Sequence, residues 1–271
     1  MKCSTLKSLL HDEIWQLPTL STPLLERLNQ LHDITLMLHS NGIMSSRTVS
    51  QLSLTKLDSI LTVPEAGISF QPKTLDTLSL QSGTCCHRDF SIELRHPSSP
   101  EALSIAFDDS PTNKNVLSTL VSTVTQSTPI SQFPCIQDRY APCCPCCAGK
   151  RDDIRRNSKL HPLFHIISQC TFPQEVQIKH SGLSTHSLQA SSILSFSHHW
   201  GHLYLHSPEA QFAIDMTQVY NLRAQITTSE NLHQSELIAY NAYGKEILSL
   251  SVGGTEHFYL WSRLLTRPAV N

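Results

Sequence analysis

The feature that most constrains this chain is an internal similarity at a distance of 145 residues. Segment 91–107 aligns without gaps with segment 236–252, and both read as two apolar strands around a turn. Further matched blocks keep the same order: Pro-Glu-Ala at 64–66 with 208–210, His-Ser-Asn-Gly at 39–42 with His-Ser-Gly at 180–182, and the closing segments 116–124 with 258–265. Short strand patterns can resemble one another by composition alone, but the conserved order of the blocks favours a tandem duplication.

A repeat of this length is too long for a solenoid and predicts two pseudo-equivalent domains. In each half the residue pattern indicates a helix, a run of antiparallel strands, a hairpin and a closing helix. We therefore expect an α+β fold of two tandem pseudo-repeats, each a large antiparallel sheet with flanking helices. The predicted boundaries are 1–125 for the first repeat, 126–158 for a linker rich in Cys, Pro and charge, and 159–271 for the second repeat.

Local patterns predict the individual elements. Apolar residues at helical spacing predict helices over 4–17, 22–33, 115–124 and 255–265. Turn residues between alternating strands predict one hairpin around the Pro-rich turn 96–100 and another around Asn241–Gly244.

Composition excludes several classes of function. The net charge is -2 and only 15% of the 271 residues are charged, so there is no electrostatic case for binding nucleic acid. Apolar runs are short, which argues against a membrane span. The N-terminus meets His11, Asp12 and Glu13 too soon to fit a signal peptide, so we expect a cytoplasmic protein.

Segment 159–169, which opens the predicted second repeat, combines apolar residues at helical spacing with two histidines. His161 and His165 are spaced i,i+4, which on a helix puts both imidazoles on one side. Such a helix could supply an axial ligand to a large apolar cofactor, because neutral imidazole binds iron well. Read locally, the two residues are equally compatible with solvated or core-edge histidines.

The second half also resembles a known family. The resemblance is carried by several motifs in order: VQIKHSG at 176–182, WGHLYL at 200–205, FAI at 212–214, the hairpin strands SELIAY at 235–240 and GKEI at 244–247, and Trp261 in the closing helix. Together they resemble the C-terminal half of the cytoplasmic haem-degrading and haem-trafficking proteins of the HemS-like family. That family is internally duplicated and binds one haem in a cleft between a helix and large antiparallel sheets.

The resemblance implies a set of site residues. In the family, a histidine near the start of the helix that opens the second half holds the haem iron. The segment from His161 matches that context, which makes His161 the preferred axial ligand and His165 the reserve. The family also supplies an arginine to the opposite face of the haem from its first half. His87 and Arg88 lie near the corresponding strand here.

The resemblance implies a cytoplasmic protein of haem and iron utilisation that binds haem for degradation or delivery. The residues leave open whether the chain is an enzyme. If it is one, the resemblance implies a haem-degrading, oxygenase-like activity. The partners it implies, besides haem, are a haem importer or an electron donor. A non-catalytic interaction protein on the same scaffold is a further alternative.

A cysteine cluster lies in the predicted linker and is not explained by the family. Cys143 with Cys146, and Cys144 with Cys147, each form a C-x-x-C pair, the spacing with which two thiolates reach one zinc ion or cluster iron. A closed site needs about four ligands. The alternatives are a Zn or Fe–S site in a thiol regulatory protein, a thiolate contact to haem iron, or a loop that binds no ligand.

A second group of histidines occupies 198–206. If this segment were one strand, its period of two would put His198, His202 and His206 on one face together with Trp200 and Tyr204. Such a face would suit one wall of an aromatic cleft better than a compact metal site. A solvent-facing strand is the alternative.

Overall fold

The computed structural model describes residues 13–40, 42–57, 60–70, 77–82, 88–95, 102–129, 145–169, 175–179, 185–188, 195–206, 210–229 and 232–266. These residues form two compact units. The first contains described residues 13–39 and 46–129, and the second contains 40, 42–45 and 145–266. Within the described residues, no helix has the length and apolar character needed to cross a bilayer.

The described residues of the first unit form an antiparallel sheet with two α-helices. Its elements are β1 (Glu13–Leu17), α1 (Thr22–Leu28), β2 (His32–Ser40), β3 (Ile43–Gln51), β4 (Thr55–Leu57), β5 (Ile60–Val63), a 3-10 turn (Pro64–Ala66), β6 (Ile68–Phe70), β7 (Thr77–Ser82), β8 (Phe90–Arg95), β9 (Ala102–Phe107), α2 (Pro111–Ser122) and β10 (Gln126–Pro129). The sheet order is β10-β1-β7-β8-β9-β2-β3, and β4-β5-β6 form a small separate sheet. Phe90 and Phe107, both fully buried, lie 5.9 Å apart between ring centroids in its core.

The second unit repeats this arrangement after an additional helix. Its elements are α3 (Pro145–Arg156), a 3-10 turn (Ser158–Leu160), α4 (Pro162–Ser168), β11 (Glu175–Lys179), β12 (Thr185–Leu188), β13 (Ser195–His199), β14 (His202–His206), β15 (Ala210–Asp215), a 3-10 turn (Met216–Gln218), β16 (Asn221–Ser229), β17 (Leu232–Tyr240), β18 (Glu246–Gly253) and α5 (Glu256–Thr266). Its large sheet has the order β16-β17-β18-β11-β12, and β13, β14 and β15 pair antiparallel.

The two units share strand order and register. The order β7-β8-β9-β2-β3 in the first corresponds to β16-β17-β18-β11-β12 in the second. Ile92 pairs with Ile105 in β8–β9, and the residues 145 positions later, Leu237 and Leu250, pair in β17–β18. The helices α2 and α5 begin at Pro111 and Glu256, which are also 145 positions apart. This correspondence supports the duplication inferred from the aligned segments, which stays a prediction about origin.

Several predicted elements need correction. The predicted helix 4–17 lies partly outside the described residues, and its end, Glu13–Leu17, is strand β1. The predicted helix 22–33 ends at Leu28, because β2 begins at His32. The helix predicted over 115–124 begins earlier, at Pro111, where the Ser110 hydroxyl caps it.

Other predictions are met. The closing helix is α5, and the chain turns at Asn241–Gly244 between β17 and β18. Strands β8 and β9 pair as expected, although the turn 96–100 lies outside the described residues. The domain boundaries stay a prediction, and the described part of the predicted linker contains β10 and α3.

Candidate functional site

A cavity of about 760 Å³ lies within the second unit. This volume falls in the range of small-molecule and cofactor sites. The cavity is lined by α3, the turn after it, both His161 and the first residue of α4, the segment 217–222 and one residue of α5. Its apolar lining consists of Ile154, Leu160, Pro162, Val219, Leu222 and Leu265. The charged side chains in the lining are Lys150, Arg151 and Asp153, and His161 is the only histidine among the described lining residues.

His161 precedes α4 rather than lying inside it. The predicted single helix with both histidines on one side is therefore wrong: Pro162 is the first helical residue, and His161 is extended, with φ -68° and ψ 133°. A proline disfavours helical backbone in the residue before it. The two imidazoles consequently occupy different environments, since His161 lines the cavity while His165 is exposed and does not.

The His161 ring caps α4. Its Nδ1 accepts a hydrogen bond from the Leu163 backbone N–H, 3.2 Å away. Burial lowers the pKa of His161 to about 4, and a hydrogen bond with the Val219 backbone opposes this shift in part. The ring is therefore neutral at physiological pH, the form in which imidazole ligates metals.

Two contacts hold the segment around His161 in place. The buried Ser158 hydroxyl lies 3.0 Å from Nδ1 of His198, a residue of β13. Phe164 packs edge-on against the same ring, with 5.0 Å between centroids. His198 thus contacts the chain on both sides of His161, so the β13–β14 hairpin positions the residue that lines the cavity.

The opposite wall is fixed by the 3-10 turn after β15. Asp215 Oδ1 accepts hydrogen bonds from the Thr217 backbone N–H at 2.9 Å and from its hydroxyl at 2.6 Å. The Met216 N–H donates to the Gly201 carbonyl at 2.9 Å, and the Val219 N–H donates to Met216. These bonds set the position of the Val219 backbone that the His161 ring contacts.

Helix α3 brings positive charge to the cavity, although its composition predicts a linker rather than a site element. Lys150 Nζ lies 5.4 Å from the centroid of the Tyr220 ring. The helix approaches the β13–β14 turn so closely that a Cβ on Gly201 would lie 3.0 Å from Arg155 Cγ. Gly201 also has φ +82°, so glycine is required there on both counts. Asp152 and Arg155, spaced i,i+3, were the available helix signal.

The predicted first-half residues have partly known positions. Arg88, in the first unit, forms an ion pair with Asp108, and its Nε lies 3.3 Å from the Thr35 hydroxyl. His87 lies outside the described residues. The role expected for Arg88 on the opposite face of a haem stays a prediction.

The cysteine cluster gains no support. Cys143 and Cys144 lie outside the described residues, while Cys146 and Cys147 lie in the first turn of α3. Cys146 is exposed and is not in a disulfide. Across the described ranges, no three His, Cys, Asp or Glu side chains come together in a way that could hold a metal ion. A Zn or Fe–S site is therefore not supported.

The predicted histidine face holds only for His202, Tyr204 and His206, which share one face of β14, because segment 198–206 is a hairpin rather than one strand. The chain turns at Trp200-Gly201, and His198 pairs with Leu203 across the hairpin. His198 therefore shares a face with the buried Leu203, while His202 lies on the other face beside Tyr204, at 6.2 Å between ring centroids. The turn residues break the period of two that the prediction assumed.

Comparisons with known proteins establish the fold. No protein-family model and no curated protein sequence matches the chain. Among solved structures, the haem-degrading enzyme ChuS of Escherichia coli O157:H7 matches with a TM-score of 0.67 and 10% identity, over 95% of this chain and 88% of that one. Holo-PhuS, a haem-binding protein from Pseudomonas aeruginosa, matches with a TM-score of 0.62 and 12% identity, over 98% of this chain and 90% of that one. The predicted α+β class and the resemblance to the HemS-like family are therefore confirmed at the level of fold.

Proposed function

We propose that this chain binds haem in the cavity of the second unit, with His161 as the axial ligand. The observation that carries the proposal is a neutral histidine in the wall of a cavity of about 760 Å³ whose lining combines apolar and cationic side chains. The solved structures that share the fold include a haem-degrading enzyme and a haem-binding protein, which gives the proposal its second support.

The residues of the cavity fit the chemistry of haem. The macrocycle is flat and apolar, and the lining offers Ile154, Leu222 and Leu265 for its faces. Its propionates are carboxylates, for which Lys150 and Arg151 would be the cationic partners. His161 would supply the nitrogen that iron prefers.

The same site would serve delivery or degradation. Bound haem would supply the redox chemistry, while the protein holds it, orients it and excludes water. Delivery would involve a haem importer as supplier, whereas degradation would need oxygen and an electron donor. Incubation of the hemin complex with a reductant in air, followed by chromatography of the pigment, separates the two. A linear tetrapyrrole product supports degradation, and unchanged haem supports carriage.

A hemin titration tests the site. We expect wild type to shift the Soret band, and His161→Ala to bind hemin at least ten-fold more weakly with a changed band position. His165→Ala is the matched control, because His165 is an exposed histidine of the same segment. The absence of a Soret shift in wild type would refute the proposal. Equal losses of hemin affinity in His161→Ala and His165→Ala would show that His161 is not the axial ligand.

Arg88 can be tested in the same titration. If it contacts haem, Arg88→Ala changes the visible bands of the hemin complex. Asp108→Asn weakens the same ion pair but keeps the guanidinium, so it should leave the bands unchanged. Equal changes in both variants would indicate a structural role for the pair.

A further inference from the structure

Nδ1 of His161 is already engaged in a hydrogen bond. Since Nδ1 accepts from the Leu163 N–H, it carries no hydrogen, and the single hydrogen of the neutral ring is on Nε2. Pro162 has no N–H, so the Leu163 amide is the first one in α4 that a cap can satisfy.

Iron ligation conflicts with this arrangement. A metal binds the lone pair of an imidazole nitrogen, and the lone pair on Nδ1 is engaged with the Leu163 N–H. Ligation through Nε2 would move the hydrogen to Nδ1, where it would face the Leu163 N–H, and two donors cannot satisfy each other. Whichever nitrogen binds, the hydrogen bond that caps α4 must break.

We propose that His161 exchanges the cap of α4 for the iron, so that loading of haem is coupled to release of the first turn of this helix. The inference rests on the proposed function and concerns the regulation of the same site. Because an N-cap contributes stability, the exchange makes hemin binding about five-fold weaker than it would be with a free imidazole. It also gives the two states of the protein different surfaces beside the exposed Leu160.

Hydrogen exchange at the Leu163 amide reports the cap directly. The measurement needs single-amide resolution and three samples: protein alone, protein with hemin, and protein with metal-free protoporphyrin IX. Protoporphyrin has the same shape but no iron, so it fills the cavity without needing a ring nitrogen. We expect Leu163 exchange to be slow with no ligand and with protoporphyrin, and at least ten-fold faster with hemin.

Two variants of His161 serve as controls for the exchange rate of the Leu163 amide. His161→Asn keeps a good N-cap residue but cannot replace imidazole on iron, so its Leu163 amide should stay protected with hemin present. His161→Ala removes the cap, so this amide should exchange quickly in every sample. A Soret shift that depends on His161 together with unchanged Leu163 exchange would overturn the coupling alone. A Soret band that does not depend on His161 would overturn the proposed ligand and the coupling together.

Discussion

Helices α1 and α4 occupy equivalent places in the two units and differ in the residue that precedes their proline. Each has seven residues, carries a proline in its first turn and leads into the first strand of the pseudo-repeat, β2 or β11. In both, a buried leucine follows the proline: Leu24 after Pro23, and Leu163 after Pro162. Before the proline stand Thr22 in α1 and His161 in α4.

The residues that α1 and α4 share serve packing, whereas the residue in which they differ gives the second unit its imidazole. Both units keep a proline in the first turn and a buried leucine after it, which favour a helix start and give each helix a buried side, although α1 begins at Thr22 and α4 at Pro162. The position before the proline is exposed in α1, where the N-cap Ser21 makes no side-chain hydrogen bond. In α4 the same position lines the cavity and caps the helix. Only the second unit therefore has an imidazole at this helix start.

The largest expected loss of stability should be similar in the two helices, since each buries one leucine after its proline. Leu24→Ala and Leu163→Ala each remove a buried side chain and should each lower the free energy of unfolding by about 2–5 kcal/mol. Urea unfolding gives the total, and hydrogen exchange assigns the loss to one unit. A loss much smaller in one variant than in the other would show that the helices do not have equivalent packing roles.

Acid should affect the second helix alone. The pKa of His161 is held at about 4, against 6.5 for an ordinary histidine, chiefly by burial. Between these pH values the unfolded chain binds a proton that the folded chain does not, so stability falls as pH drops through this window. The contribution of His161 to this loss should be about 3 kcal/mol, with no further change below pH 4.

The measurement is urea unfolding of wild type and His161→Asn from pH 7 to pH 4. The variant cannot titrate at this position, so the difference between the two curves isolates His161. Thr22→Asn in α1 is the parallel substitution and should leave the pH dependence of wild type unchanged. Parallel curves for wild type and His161→Asn would show that the ring is not buried in its neutral form.

How much of the fold can be predicted depends on whether an element is decided by its own sequence or by pairing with distant segments. The β8–β9 hairpin and the matching order of strands in the two units could be read from the sequence, because strand pairing leaves an alternation that repeats at a fixed distance. The strand at Glu13–Leu17 could not, since its apolar spacing also suits a helix and its pairing with β7 and β10 is non-local. Pairing with β7 and β10 makes this segment a strand, although its sequence alone is compatible with a helix.

The candidate site, like the fold, could be predicted from the sequence only in part. His161 was identified through the family resemblance, but its place before the helix follows from Pro162, a signal present in the sequence and not used. The segment around Thr217 and Val219 was not foreseen, because it contributes backbone and a carboxylate-capped turn rather than a recognisable motif. The role of His198 was misassigned because the turn Trp200-Gly201 was read as strand.

A smaller effect should distinguish the two helix starts at neutral pH. His161→Ala removes a side-chain cap and should cost about 1 kcal/mol of unfolding free energy, whereas Ser21→Ala removes none and should cost only a few tenths. His161→Asn should recover most of the loss, since asparagine is a good N-cap. Thermal unfolding of the ligand-free protein at pH 7 measures all three. Equal losses for Ser21→Ala and His161→Ala would show that the imidazole does not cap α4.

The smallest effect concerns charge, which the additional helix α3 brings to the cavity of the second unit. Lys150→Met keeps the length and apolar stem of the side chain but removes its charge, so hemin should bind up to about five-fold more weakly at low salt. The difference should shrink as ionic strength rises, because screening weakens an exposed pairing with a propionate.

Lys114→Met, in α2 of the first unit, removes an exposed lysine and should leave hemin affinity unchanged. Soret titrations of wild type and both variants at two salt concentrations give the affinities needed for the comparison. Equal weakening by both substitutions would indicate a general effect of net charge, and a loss for Lys150→Met that persists in high salt would indicate a packing role for its side chain against Tyr220.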